Sequence, residues 1–268
     1  MEKIVTCTPI GGLGNQLFIL CAAIAYSIDN NRKLIITNYK ETKGIDAISI
    51  RYSYINNLFY KLKPNIGLVK GNVYTIIENG FHYNKLPKLN HQVVHLQGYF
   101  QSYKYFEHHM ETIYNLFEFK KYQTNNNSIS LHFRIGDYKI NTDFHPILNI
   151  DYYINSLQYI YNVNNKDYLV EYACENNDID LVNKNIIKLM KHFPNFKFKR
   201  IDPDLPDWKL MIYLSSCQHN IIANSTFSWW GAYINQNKYK IVTYPSAWFG
   251  FNVNTSDLFP TDWIKITI

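Results

Sequence analysis

The stretch that most constrains the fold is Ile129-Ser130-Leu131, followed by His132, Phe133, Arg134, Ile135, Gly136, Asp137 and Tyr138. An apolar run that ends in charged residues around a glycine reads as the end of a buried strand, and strands of this kind belong to parallel sheets flanked by helices. Ligands of such sheets gather at the carboxyl ends of the strands, which is where the charged cluster stands. Arg134 is its centre, because a planar guanidinium can engage two oxygens of a diphosphate at once. A structural ion pair between Arg134 and Asp137 beside a glycine turn accounts for the same residues, and the cluster alone leaves both readings open.

The chain before this stretch opens with a strand over 3–10, the turn Gly11-Gly12-Leu13-Gly14-Asn15-Gln16, and a helix over 17–27. Gly12 and Gly14 would let the backbone approach a ligand closely, and the helix start would offer unpaired N–H groups. The spacing is neither the GxGxxG fingerprint nor a phosphate loop, which needs a Lys-Ser/Thr pair. Asn15 and Gln16 put amides at the helix mouth, where they would orient a sugar hydroxyl; Asn15 as a simple helix cap is the alternative. Further strands are expected at 33–37 and 73–77 and near 95–97, with a helix over 103–117. Gln97, Tyr99 and Gln101 would line a cleft or belong to a core strand.

A polar, Asn-rich stretch over 120–128 marks the boundary between an N-terminal domain at 1–124 and a C-terminal domain at 125–268. Past the Arg134 loop, strands and helices alternate. Helices are expected at 151–161 with Asp151 as cap, at 179–192 and from Asp207, and strands at 168–172, 196–199, 221–223 and 240–244. That alternation indicates a second parallel α/β unit. Asn224, Ser225, Thr226 and Ser228 open a helix directly after a strand, and hydroxyls with N–H groups at a helix start form a phosphate cradle. Trp229 and Trp230 are expected to pack in the core.

The formal net charge of +6 suits an anionic ligand such as a nucleotide sugar, but it is spread too evenly to indicate nucleic acid. Cys7, Cys21, Cys174 and Cys217 lie far apart with no CxxC, as free thiols of a reducing compartment do. No secretory leader or spanning segment is read from the sequence, which points to a cytoplasmic protein with peripheral contact at the membrane face left open. No carboxylate pair suggests a hydrolase or a divalent metal site, so no cofactor is expected. Asp143 and His145, just past the Arg134 loop, are the candidate general bases, and both are also ordinary turn residues.

Taken together, Gly11–Gln16, His132–Tyr138 and Ile221–Asn235 resemble, in order, the inverting fucosyltransferases of glycosyltransferase family 11, the alpha-1,2-fucosyltransferase group. The resemblance implies a GT-B-like fold of two facing Rossmann-type domains. It also implies metal-independent, inverting transfer from GDP-fucose to a galactose 2-hydroxyl of an oligosaccharide or glycoconjugate. By position, Arg134 matches the arginine that holds the donor diphosphate and stabilises the leaving group, and His132 and Asp137 shape the same loop. Asn15 matches the amide of the glycine-rich opening, near the donor sugar, and Ser225, Thr226 and Ser228 match the phosphate- or nucleotide-binding segment. Two positions depart from the family pattern. Ile135 stands where a second arginine is expected, and Tyr172-Ala173-Cys174-Glu175 replaces Phe-Ser-Asp-Asp. Another GDP-deoxysugar is the alternative donor, and a non-catalytic glycan-binding module is the alternative class.

Overall fold

A computed structural model describes residues 2–39, 42–43, 50–51, 53–123 and 126–267. The chain forms two compact units, one comprising 1–120 with 253–260 and the other 121–252 with 261–268. The expected boundary at 124/125 falls on two residues outside the described set. Among the described residues, no helix is long and apolar enough to cross a membrane.

In unit 1 the chain runs β1 (Ile4–Cys7), α1 (Leu13–Asp29), β2 (Lys33–Ile36), the short strands β3 (Thr42–Lys43) and β4 (Ile50–Arg51), β5 (Val73–Ile77), β6 (Val93–Gln97), α2 (Met110–Leu116) and α3 (Phe119–Tyr122). The last two residues of α3 lead into unit 2. The main sheet has the order β2-β1-β6-β5, and every pairing in it is parallel. Helix α1 is buried along most of its length, from Leu13 to Tyr26, because its apolar residues leave almost no polar face. Its N-cap is Gly12, so Asn15 lies inside the first turn and does not cap it. The helix expected over 103–117 is broken into short 3-10 turns at Tyr103–Tyr105 and Glu107–His109 before α2. Ser102 caps the first of these turns, and Phe106 between them has ψ near zero, so the helical spiral does not run through.

Unit 2 runs β7 (Asn126–His132), α4 (Ile150–Asn164), β8 (Leu169–Ala173), α5 (Ile179–His192), β9 (Lys197–Arg200), α6 (Asp207–Ser215), β10 (Cys217–Ile221), α7 (Thr226–Tyr233), β11 (Val242–Pro245) and β12 (Ile264–Ile266). Its sheet has the order β12-β11-β10-β7-β8-β9 and is parallel throughout. The cap of α4 is Asn149, whose side chain accepts from the Tyr152 N–H; Asp151 sits in the first turn. There its negative charge still favours the helix start.

The two-residue period of a strand divides β7 between two environments. Ile129 and Leu131, with Phe133 and Ile135 beyond the strand end, join the apolar core formed with α4 and α5 residues such as Tyr153, Leu157, Val182 and Leu189. Ser128, Ser130 and His132 take the other face. There Ser128 Oγ donates to Glu171 at 2.7 Å, Asn220 Nδ2 donates to Ser130 Oγ at 2.7 Å, and the His132 ring lies 5.5 Å from that of Phe227. The buried serines on this face have specific partners that help fix where α6 and α7 sit. Tyr213 of α6, for instance, donates to Glu171 at 2.5 Å. Trp229 and Trp230 are fully buried, as expected of core residues.

His219, buried in β10, accepts the Ile241 N–H on Nδ1 at 3.0 Å and contacts the Tyr168 hydroxyl through Nε2 at 3.0 Å. Burial, with a smaller contribution from Lys166, lowers its pKa to about 4. The folded value lies below the ordinary 6.5, so the unfolded chain takes up more protons between these two pH values. The stabilisation is complete above about pH 6.5 and is lost as pH falls towards 4. Urea midpoints should therefore fall over that window. His219→Asn, which keeps an acceptor near Nδ1 but does not titrate, should show a shallower slope.

Candidate active site

The unit 2 candidates gather at the carboxyl ends of β7, β8 and β10. Arg134 follows β7 in the same alternation as His132, and its guanidinium pairs with both Asp137 and Glu175. It also lies over the Tyr138 ring, 4.8 Å from the centroid. Burial works against the charge, but Tyr138, Asp137 and Glu175 more than offset it and raise the pKa of Arg134 above its ordinary value. Arg134 is therefore a fixed cation, held at two of its nitrogens.

Gly136 makes the turn possible, with φ at +27° and an N–H that donates to Asp178 Oδ2 at 2.7 Å. Asp178 is buried and also takes Lys139 Nζ at 2.5 Å, so it pins the loop from beneath. A Cβ on Gly136 would lie 2.4 Å from the Glu175 carboxylate. Glu175 itself is more than half exposed, and its loop is anchored by Arg200, which donates to Asn176 Oδ1 at 2.6 Å. The sequence showed Glu175 only as a departure from an expected acidic pair. Its partnership with Arg134 could not be read there, because the two lie on neighbouring strand ends 41 residues apart.

Ile135 is buried in the α4–α5 core. The departure from a second arginine thus removes a charge from the loop and adds an apolar contact beneath it. A cleft of about 320 Å³ opens on the same side, with Phe133, Leu148, Tyr153 and Lys188 among its walls.

His132 is buried, and its Nδ1 has no hydrogen-bond partner. Burial and the nearby Arg134 charge depress its pKa to about 3, so it is neutral throughout the physiological range. His145 stacks on Tyr138 with ring centroids 4.4 Å apart and planes within 10°. This places it in the Arg134 neighbourhood, with Nδ1 buried and unpartnered. Burial lowers its pKa, Asp137 opposes that, and Arg134 reinforces it, for a net depression. Asp143 has an exposed side chain, and its backbone carbonyl lies against Gly250. No hydrogen bond or ion pair joins its carboxylate to the Arg134 loop among the described residues.

Tyr138 links the loop to the helix start, since its hydroxyl donates to the Asn224 carbonyl at 2.8 Å. The Asn224 side chain is buried and donates to Pro146 O at 2.9 Å and Trp248 O at 3.3 Å. Ser225 caps α7 by accepting the Phe227 N–H, and the Ser228 hydroxyl hydrogen-bonds the Ala223 and Ser225 carbonyls. Asn224 and Ser228 therefore hold the turn in place, while Thr226 at the first helical position is half-buried.

Gly12, Gly14 and Asn15 belong to unit 1. Gly11 has φ at +76°, a conformation suited to glycine, and Gly12 has open space where a Cβ would stand. Asn15 Oδ1 accepts from Gln101 Nε2 at 3.1 Å. Gln101 is presented by a turn that contains Phe100 at φ +53° and is gripped by Glu78, whose Oε2 accepts the Tyr99 and Phe100 N–H groups at 2.6 and 2.8 Å. Gln16 donates to Gly11 O at 2.9 Å and accepts from the Tyr39 hydroxyl at 2.8 Å, which stabilises the glycine turn from within.

Two parallel α/β units of the GT-B type, one of them carrying a clamped arginine beside a capped helix start, define a glycosyltransferase fold. The chain belongs to glycosyltransferase family 11, whose model matches residues 2–267. It is 27% identical to an alpha-1,2-colitosyltransferase of Escherichia coli, over 98% of this chain and 99% of that protein. It is also 29% identical to the O-antigen biosynthesis glycosyltransferase WbnK of Escherichia coli, over 96% and 98% respectively. Among solved structures, the fold is similar to that of the fucosyltransferase NodZ from Bradyrhizobium, with TM-score 0.51 and 12% identity over 87% of this chain and 93% of that one. It is likewise similar to Arabidopsis thaliana FUT1, solved in complex with GDP, with TM-score 0.50 and 12% identity over 92% of this chain and 72% of that one.

The Gly136 geometry yields a specific expectation. In Gly136→Ala the clash is relieved by expelling the flexible Glu175 carboxylate, while the positive φ still costs about 1–2 kcal/mol. Chemical denaturation should show that modest loss, and a crystal structure of the variant should show Glu175 displaced from Arg134.

Proposed function

We propose that this glycosyltransferase moves fucose from GDP-fucose to a galactose 2-hydroxyl of a glycan, with inversion and without a metal ion. The observation that carries the reading is Arg134. It is a half-buried, clamped cation at the end of β7, tied through Tyr138 to the turn that opens α7. As the glycosidic bond breaks, negative charge grows on the departing diphosphate. A fixed guanidinium and a helix N-terminus stabilise that charge most where water is excluded. Family membership supports sugar transfer, and the resemblance to an enzyme named for alpha-1,2-colitosyl transfer supports the alpha-1,2 bond.

Before the donor arrives, Arg134 faces two carboxylates. Glu175 is the exposed one, and a donor diphosphate would displace it while Asp137 keeps the guanidinium oriented. His145 accepts the proton of the attacking hydroxyl. Burial keeps its imidazole neutral, and its Nδ1 has no other partner. Within unit 1, Asn15 is held by Gln101 and presents an amide able to hydrogen-bond a sugar hydroxyl. The same machinery would serve GDP-colitose, whose sugar lacks the 3-hydroxyl of fucose, so the donor is decided by whether the pocket pairs that hydroxyl. A glycan-binding module without chemistry would leave the Arg134 clamp without a role.

Arg134→Ala should fold normally by circular dichroism and lose at least about 100-fold in turnover. A folded variant with near wild-type transfer overturns the role. His145→Ala should cost about 100-fold, whereas Asp143→Ala should stay near wild type. A donor panel of GDP-fucose, GDP-colitose and other GDP-deoxysugars, with linkage analysis of the product and a chelator arm, tests the reaction itself. Transfer from GDP-fucose that persists in chelator is the expected result, and an absolute need for added metal would refute the metal-free mechanism.

A further inference from the structure

At the far end of α1 from the glycine turn, three side chains of unit 1 converge. Asp29, the last residue of the helix, places Oδ1 2.7 Å from Nε2 of His109 and Oδ2 3.0 Å from Nε2 of His108. Each residue offers one ligand atom, and these atoms all lie within 4.8 Å of one another. We propose that Asp29, His108 and His109 form a binding site for a divalent transition metal of the zinc class, separate from the transfer chemistry.

Two imidazole nitrogens and a carboxylate oxygen make up a donor set that zinc and its neighbours favour, and three protein ligands leave outer positions for water. A tetrahedral zinc with arms of about 2.0 Å holds its donor atoms about 3.3 Å apart. The two Asp–His separations, 2.7 and 3.0 Å, would open by a few tenths of an ångström, and the widest of the three, within 4.8 Å, would close by up to about 1.5 Å. All three side chains are partly exposed, Asp29 at the last residue of α1 and the two histidines in a short 3-10 turn, so that adjustment is available to them.

The electrostatics point the same way. A carboxylate at a helix C-terminus opposes the helix dipole, and α1 has no basic residue in its last turn to compensate. An imidazole supplies positive charge only when protonated, whereas a divalent ion supplies it at neutral pH. A cleft of about 340 Å³ adjoins Asp29 and His108 and leaves room for the outer ligands. Asn15, in the first turn of α1, is about 21 Å away along the helix at 1.5 Å per residue. The bound ion would thus brace the end of α1 against the Glu107–His109 turn, and sugar transfer would not pass through it.

The test is a zinc titration of the full chain after chelator treatment and dialysis, read by calorimetry and by thermal unfolding, with cobalt(II) absorption reporting the ligand set. Wild type should bind one equivalent, melt at a higher temperature with zinc, and show visible cobalt bands. The His108→Ala/His109→Ala and Asp29→Asn variants should bind at least about tenfold more weakly and lose both the thermal shift and the bands. The single variant His108→Ala retains the His109–Asp29 pair, so it separates lost coordination from lost folding. No saturable binding by wild type, or equal binding by folded variants, overturns the site. Failure of the proposed sugar transfer would leave this readout unaffected.

Discussion

The two-residue register of β7 governs how unit 2 assembles. Ile129, Leu131, Phe133 and Ile135 enter the α4–α5 core, while Ser128, Ser130, His132 and Arg134 take the other alternation. A slip of one residue would put serines and a guanidinium into an apolar core and set four large hydrophobic side chains against the buried polar groups of the other face, a cost that fixes the register firmly. Arg134 is thereby delivered to the sheet edge, where α7 begins on the adjacent strand β10. The same alternation accounts for Ile135, which serves the core.

The buried polar groups around the site act mainly as positioning devices. Asn224 and Ser228 spend their hydrogen bonds on backbone carbonyls, Asp178 holds the Gly136 N–H and Lys139, and Tyr138 joins loop to helix. In a low-dielectric environment these bonds are costly to leave unmade, so the loop keeps one geometry before any ligand arrives. Catalysis by electrostatic preorganisation depends on that rigidity. Glu175 is the exposed member of the cluster and the one whose displacement would be cheap.

Where local signals were strong, the elements followed them. Helix α5 spans 179–192, with the bounds its apolar stripe implies. Where tertiary contacts competed, they did not. The expected helix over 103–117 is interrupted, since Ser102 hydrogen-bonds the Asp257 carbonyl and Lys104 pairs with the Asp257 carboxylate. Asn149 took the cap position expected of Asp151, a shift of the size that end effects usually bring. The terminal strand β12 had no signal of its own, because three residues become a strand only by pairing with β11.

By itself the sequence determined the strand–helix alternation, the residues of the Arg134 loop, the capped turn after β10 and the burial of the paired tryptophans. These follow from periodicity, glycine and capping chemistry, which act over a few residues. Only the tertiary structure decided that Glu175 would share the Arg134 guanidinium, that His145 would stack on Tyr138 while Asp143 stayed exposed, and that Asn224 and Ser228 would bond to the backbone. It also decided that Asp29 would meet His108 and His109. Each of these is a contact between residues brought together by strand order or helix packing, and a linear pattern carries no record of which side chains will share one carboxylate.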